Sequence, residues 1–127
     1  MTEEIKIIIE KSEHFLKDAS VLMTQERYEG AVNRAYYAAF TAIRAMLFAE
    51  GIFAKTHSGV HTKFRELFIK AGKVDIEYSE QLAELADQRQ RVDYDFYVPM
   101  EEDETTQLLD YAKKFIDLAK NHVKNHK

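Results

Sequence analysis

The sequence predicts an all-α protein, an antiparallel bundle of about five helices. Three observations carry that prediction. Apolar residues recur at three- and four-residue steps through most of the chain, no segment alternates apolar and polar residues as a half-buried strand does, and glycine or proline punctuates the ends of the periodic runs. At 127 residues, with one proline, four glycines and no Ser- or Gly-rich stretch, one domain spanning 1–127 is expected, without repeats or a flexible linker.

The first helix is predicted from about Thr2 to Met23, where Ile5, Ile8, Ile9, Phe15, Leu16, Ala19, Leu22 and Met23 form an apolar stripe opposite Lys and Glu. The second runs from about Arg27 to Glu50 and leaves only a narrow polar strip before Gly51, which suits a left-handed C-terminal cap. Such a helix belongs at the bundle centre. Its apolar girth also exceeds what one layer of neighbours is expected to cover, which predicts a homodimer formed through helix faces. A third helix, about His57 to Ala71, carries Val60, Phe64, Leu67 and Phe68 and stops at Gly72, with His57-Ser58 as its N-terminal cap. The fourth, about Tyr78 to Arg91, uses Leu82, Leu85 and Ala86. Asp93 to Glu102, which includes Pro99, is expected to be an ordered loop. The last helix starts in the acidic run Glu101 to Glu104, which complements its dipole, and ends in the basic run Lys120 to Lys127.

Composition narrows the chemistry. No cysteine is present, so disulfides and thiolate chemistry are excluded and a reducing compartment is expected. No stretch approaches the ~20 apolar residues that span a bilayer, and Met1 to Lys17 is charged throughout, so a cytoplasmic protein without a membrane association is expected. The net charge of −4 makes the whole surface a poor trap for nucleic acid, so any RNA site must be local.

Arg27 to Phe48 reads RYEGAVNRAYYAAFTAIRAMLF; HSGVH follows at His57 to His61, and RQRVDYDFY at Arg89 to Tyr97. In this order and spacing the three elements resemble the HEPN family, in particular short stand-alone prokaryotic members with an Asn-Arg-x-Tyr-Tyr central helix. The resemblance implies a helical bundle that commonly dimerises, a role beside nucleotides or RNA, and a small nucleotidyltransferase as partner in a toxin–antitoxin-like pair. Many HEPN proteins are metal-independent ribonucleases in which an arginine is followed four to six residues later by a histidine. In that chemistry the histidine moves the proton and the arginine stabilises the charged phosphorane. Here Phe96 and Tyr97 stand at the corresponding distance from Arg91, and no histidine lies between Arg89 and Tyr97.

The residues expected to bind a nucleotide or RNA phosphate are Arg34, Tyr37, Arg89, Arg91, Asp93, Tyr94 and Tyr97. Planar guanidiniums suit phosphate and aromatic rings can stack a base. Equally, Asp93 can tie down an arginine in a purely structural knot, and Arg34 can pair with Asp93 or Glu80. Arg91 with His57 or Tyr97 is the catalytic candidate if the protein is a ribonuclease. The leading reading is the binding module; the ribonuclease and a non-catalytic interaction scaffold are the alternatives. His57 and His61 are one helical turn apart, a spacing that can hold a metal, but no third ligand is nominated, so neither a metal nor another cofactor is expected. The acidic residues Asp93, Asp95 and Glu101 to Glu104 lack the spacing of a calcium loop and read as a solvated helix start.

Overall fold

Thr2 opens the first helix by accepting a hydrogen bond from the Ile5 backbone N–H at 3.3 Å, with Glu3 and Glu4 in the first turn where the helix dipole favours them. A computed structural model of the chain describes residues 2–94 and 99–125, and among them there are only helices and their connections. They are α1 (Glu3–Thr24), α2 (Tyr28–Ala49), α3 (His57–Phe64), α4 (Ile76–Tyr94) and α5 (Glu102–Asn125). The expected all-α bundle is therefore what the chain forms. No helix among the described residues is long and apolar enough to cross a membrane.

α1 and α2 are joined by a connection of only three residues, in which Glu26 takes a left-handed conformation (φ 57°), so they lie side by side as antiparallel neighbours. α2 is the hub, packed against α1, α3, α4 and α5. Thirteen of its residues are buried, from Ala31 to Leu47. The small side chains of Ala31, Ala35, Ala38, Ala39, Ala42 and Ala45, all fully buried, let the neighbouring backbones close in. The apolar girth of α2 is thus accounted for by four elements of one chain, and it no longer argues for a second copy. Gly51 (φ 78°) supplies the left-handed turn just beyond the helix, as its position predicts.

α3 differs from expectation at both ends. Its cap is Thr56, whose hydroxyl accepts from the Gly59 N–H at 2.9 Å, and His57-Ser58 already lie inside the helix. From Arg65 to Ile69 the helix widens into a π turn, with the Lys70 N–H donating to the Arg65 carbonyl at 2.8 Å. Phe64, just before the change, and Phe68, within it, both remain buried, and Arg65 Nε donates to Ser79 Oγ at 3.0 Å, tying this turn to α4.

α4 begins at Ile76, where Asp75 accepts from the Glu77 N–H, and it runs through Tyr94. Asp93 and Tyr94 are therefore helical rather than the start of a loop. The physical reason is that Val92 continues the stripe of Leu82, Leu85 and Ala86 and packs against the core, so burial carries the helix another turn. α5 follows the prediction, with Leu108, Ala112, Phe115, Ile116, Ala119 and Val123 buried.

Candidate functional site

On α2, Asn33, Tyr36, Tyr37 and Phe40 occupy positions i, i+3, i+4 and i+7, one stripe of the helix. Tyr36 is fully buried, and a phenol in that position must find polar partners. It finds two. Its hydroxyl lies 2.7 Å from His57 Nδ1 and 3.0 Å from His61 Nε2, the two histidines being one turn apart on α3 and so on the same face. The His57 ring stacks on Phe40 with centroids 4.4 Å apart, and lies nearly parallel to Tyr36 at 5.7 Å.

α4 completes the cluster from the side. The Arg89 guanidinium lies over the Tyr36 ring at 4.9 Å and within 5.8 Å of Tyr37, positions in which a cation is attracted by both ring faces. One turn on, Asp93 accepts from Arg89 at 3.5 Å and from the Asn33 amide at 3.2 and 3.0 Å. Asn33 in turn accepts from Arg34 at 2.8 Å. A continuous polar chain therefore leads from exposed Arg34 through Asn33 and Asp93 to Arg89 and the tyrosine–histidine core. A shallow cleft of about 300 Å³ opens along it, lined by Leu22, Glu29, Gly30, Asn33, Arg34, Val92 and Asp93.

The electrostatics follow from burial and from Arg89. Burial pushes the Tyr36 phenol up to about 12, with Arg89 pulling the other way. Burial likewise lowers His61, to about 4, helped by the positive charge of Arg65 and by His57 and Arg89. His57 is lowered by burial and then by Arg89. Around neutral pH both imidazoles are therefore uncharged, each with one N–H and one bare nitrogen. Such a group can take a proton, while Arg89 can hold an anion. Among the described residues no three His, Asp or Glu side chains lie together as a metal site.

Set against the sequence expectations, the structure gathers Tyr37, Arg89, Asp93 and His57 into one neighbourhood and adds Tyr36, His61 and Asn33. Arg34 is exposed at its edge, and its neighbour Asn33, rather than Arg34 itself, meets Asp93. Arg91 is two residues from Arg89, about 200° around the helix, and this exposed side chain donates instead to Gln88 at 3.4 Å. The pairing of His57 with Arg91 in one cleft is thus corrected: Arg89 is the arginine on that face. Tyr94 is 72% exposed. Tyr97 and Asp95 lie outside the described residues. The signal that marks the missed residues is present in the sequence, since Asn33 and Tyr36, His57 and His61, and Arg89 and Asp93 each share a helical face.

Comparison with known proteins agrees with this architecture. Residues 5–122 match the HEPN domain. A protein of Methanocaldococcus jannaschii named "Putative toxin MJ0142" is 34% identical over 94% of this chain and 82% of its own length. A "UPF0332 protein" of Thermotoga maritima is 34% identical over 100% of this chain and 98% of its own. "Putative toxin MJ0605", also of Methanocaldococcus jannaschii, is 33% identical over 96% and 90%.

Proposed function

The chain belongs to the HEPN domain family, and on that premise we propose that it is the toxin-like member of a two-protein, toxin–antitoxin-like system, binding a phosphate of a nucleotide or RNA where α2 meets α4. Its partner in this reading is a minimal nucleotidyltransferase, its setting is cytoplasmic, and it pairs with a second copy of itself. The observation that carries the proposal is Arg89, a guanidinium spread over two tyrosine faces and steadied by Asp93. A planar cation fixed in this way presents donors to a phosphate without having to be ordered first, and Arg34, on the neighbouring cleft lined by Asn33 and Asp93, adds a second positive charge. Tyr37 and exposed Tyr94 are the rings assigned to a base. The names of the two Methanocaldococcus relatives support the toxin-like role.

Binding of ATP by calorimetry, and of a labelled single-stranded RNA by anisotropy, tests the reading. Loss of one charged phosphate contact is worth about 1.5–3 kcal/mol, so Arg89→Ala should weaken binding at least about tenfold while the helical circular-dichroism signal persists. Unchanged affinity in Arg89→Ala overturns the assignment.

A second reading, a metal-independent ribonuclease, is favoured by the two neutral imidazoles beside Arg89, which could supply the base that the loop lacks. Here Arg89 takes the role expected of Arg91. RNA cleavage in EDTA that disappears in His57→Ala supports it; no cleavage between about pH 5 and 9 excludes it.

A further inference from the structure

A phenol has one proton and two imidazole nitrogens within hydrogen-bond distance, and this mismatch has a chemical consequence. If Tyr36 donates to His57 Nδ1, it must accept an N–H from His61 Nε2, so both histidines carry their proton on Nε2. If it donates to His61 Nε2, it must accept from His57 Nδ1, and both carry their proton on Nδ1. The hydroxyl proton and both facing ring nitrogens are all paired only when the two rings share the same tautomer, with or without a further donation from Arg89 to the phenol oxygen.

We propose that Tyr36, His57 and His61 form one proton relay, with the phenol carrying protons between His57 Nδ1 and His61 Nε2, and that the relay serves a phosphate ester held by Arg89. The ligand in this statement rests on the reading of the previous section; the relay does not. The balance is simple. When His57 Nε2 gives a proton away from the all-Nε2 state, Tyr36 passes its proton to His57 Nδ1, His61 Nε2 passes one to Tyr36, and one enters at His61 Nδ1. One proton leaves, one enters, and the all-Nδ1 state remains.

Charging His57 forces the outcome further. An imidazolium has an N–H on Nδ1, so Tyr36 must accept there and donate to His61 Nε2, which fixes His61 in the Nδ1–H form. The groups that face His57 and set when it charges are Arg89 from α4, with Asp93 behind it, Tyr37 from α2, His61 from α3 and, beside His61, Arg65 from the π turn. A phosphate on Arg89 offsets the cation that opposes protonation, so it should raise the pH at which His57 charges.

Imidazole ¹⁵N spectra of the full chain, titrated from pH 7.5 to 4.5, test this with and without ATP. Protonation of His57 should convert His61 to its Nδ1–H form with the same midpoint, and Tyr36→Phe should abolish the change at His61 while His57 still titrates. If His61 keeps Nε2–H while His57 charges, or the two rings show opposite tautomers at pH 7.5, the relay is wrong. These wild-type readings decide the matter even if Tyr36→Phe does not fold. If the tautomers move together but ATP leaves the His57 midpoint unchanged, the relay stands and the phosphate ligand falls.

Discussion

Removing the imidazole of His61 should change how the protein responds to acid. In the folded chain its pKa is lowered to about 4, chiefly by burial and then by Arg65, His57 and Arg89. In the unfolded chain it titrates near its ordinary 6.5. Between those values the unfolded state binds a proton that the folded state refuses, so stability falls as the pH drops through about 6.5, and the loss is complete near pH 4. At 1.36 kcal/mol for each pH unit the shift corresponds to at most about 3 kcal/mol, reduced by solvent screening because the ring is only partly buried, and still a sizeable share of the ~5–15 kcal/mol that holds a typical domain together. His61→Gln keeps a side chain able to meet the Tyr36 hydroxyl but removes the titration. Urea unfolding of both proteins at pH 7.5, 6.5, 5.5 and 4.5 gives the comparison, since every other titrating group is shared. The gap between wild type and variant should shift in favour of the variant as the pH falls, most steeply below about 6. Parallel pH profiles would show that His61 is free to charge in the fold and that the burial argument is mistaken.

The two arginines of α4 should separate cleanly: Arg91→Ala, on the opposite helix face, should alter ATP or RNA affinity by less than about threefold where Arg89→Ala costs at least about tenfold by calorimetry. The reverse ranking would return the site to Arg91. Asn33→Ala removes the amide that donates to both Asp93 oxygens, and should cost about 1 kcal/mol in thermal or urea unfolding; no measurable loss would show that water serves Asp93 equally well. Sedimentation at micromolar concentration should show a dimer, and a clean 14.8 kDa monomer would remove that part of the proposal. Val21, Phe53 and Ile76, all more than half exposed, are where substitution by serine should weaken the pairing if apolar contacts drive it.

The helices were legible because each has a strong apolar period, and α5 is the plainest case, with its predicted stripe buried as a unit. The site was legible in composition but not in phase. Ending α4 at Arg91 hid the fact that Arg89 and Asp93 share a face that Arg91 does not. The step from Val92 back to Ala86 was the cue, and only its packing against the core shows which side it takes. Arg34 and Asn33 differ by one residue, or about 100° of helix, so choosing between them requires knowing how α2 is rotated against α4. Tyr36 meets His57 and His61 across more than twenty positions of sequence, a contact that neither periodicity nor spacing encodes. The π turn has no recognisable signature in RELFI, since it arises from fitting Phe64 and Phe68 into the same core while Arg65 reaches Ser79.

That wide turn gives the length of the chain a meaning that its residue types do not have. A π turn holds one more residue than the α turn it replaces. Deleting one position between Arg65 and Ile69 therefore leaves an ordinary helix whose two ends keep nearly their present phase, whereas winding all five residues as α turns would rotate one end by about 100° relative to the other. In that regular helix of unchanged length, either Phe68 would leave the core or His57 and His61 would swing away from Tyr36. Among relatives of this protein, a gap of one residue between the histidines and the glycine at position 72 should then go with a regular α turn in place of the wide one. An engineered gap of one residue there should leave the bundle and its polar centre in register, while a gap of two should turn them apart by about 100°.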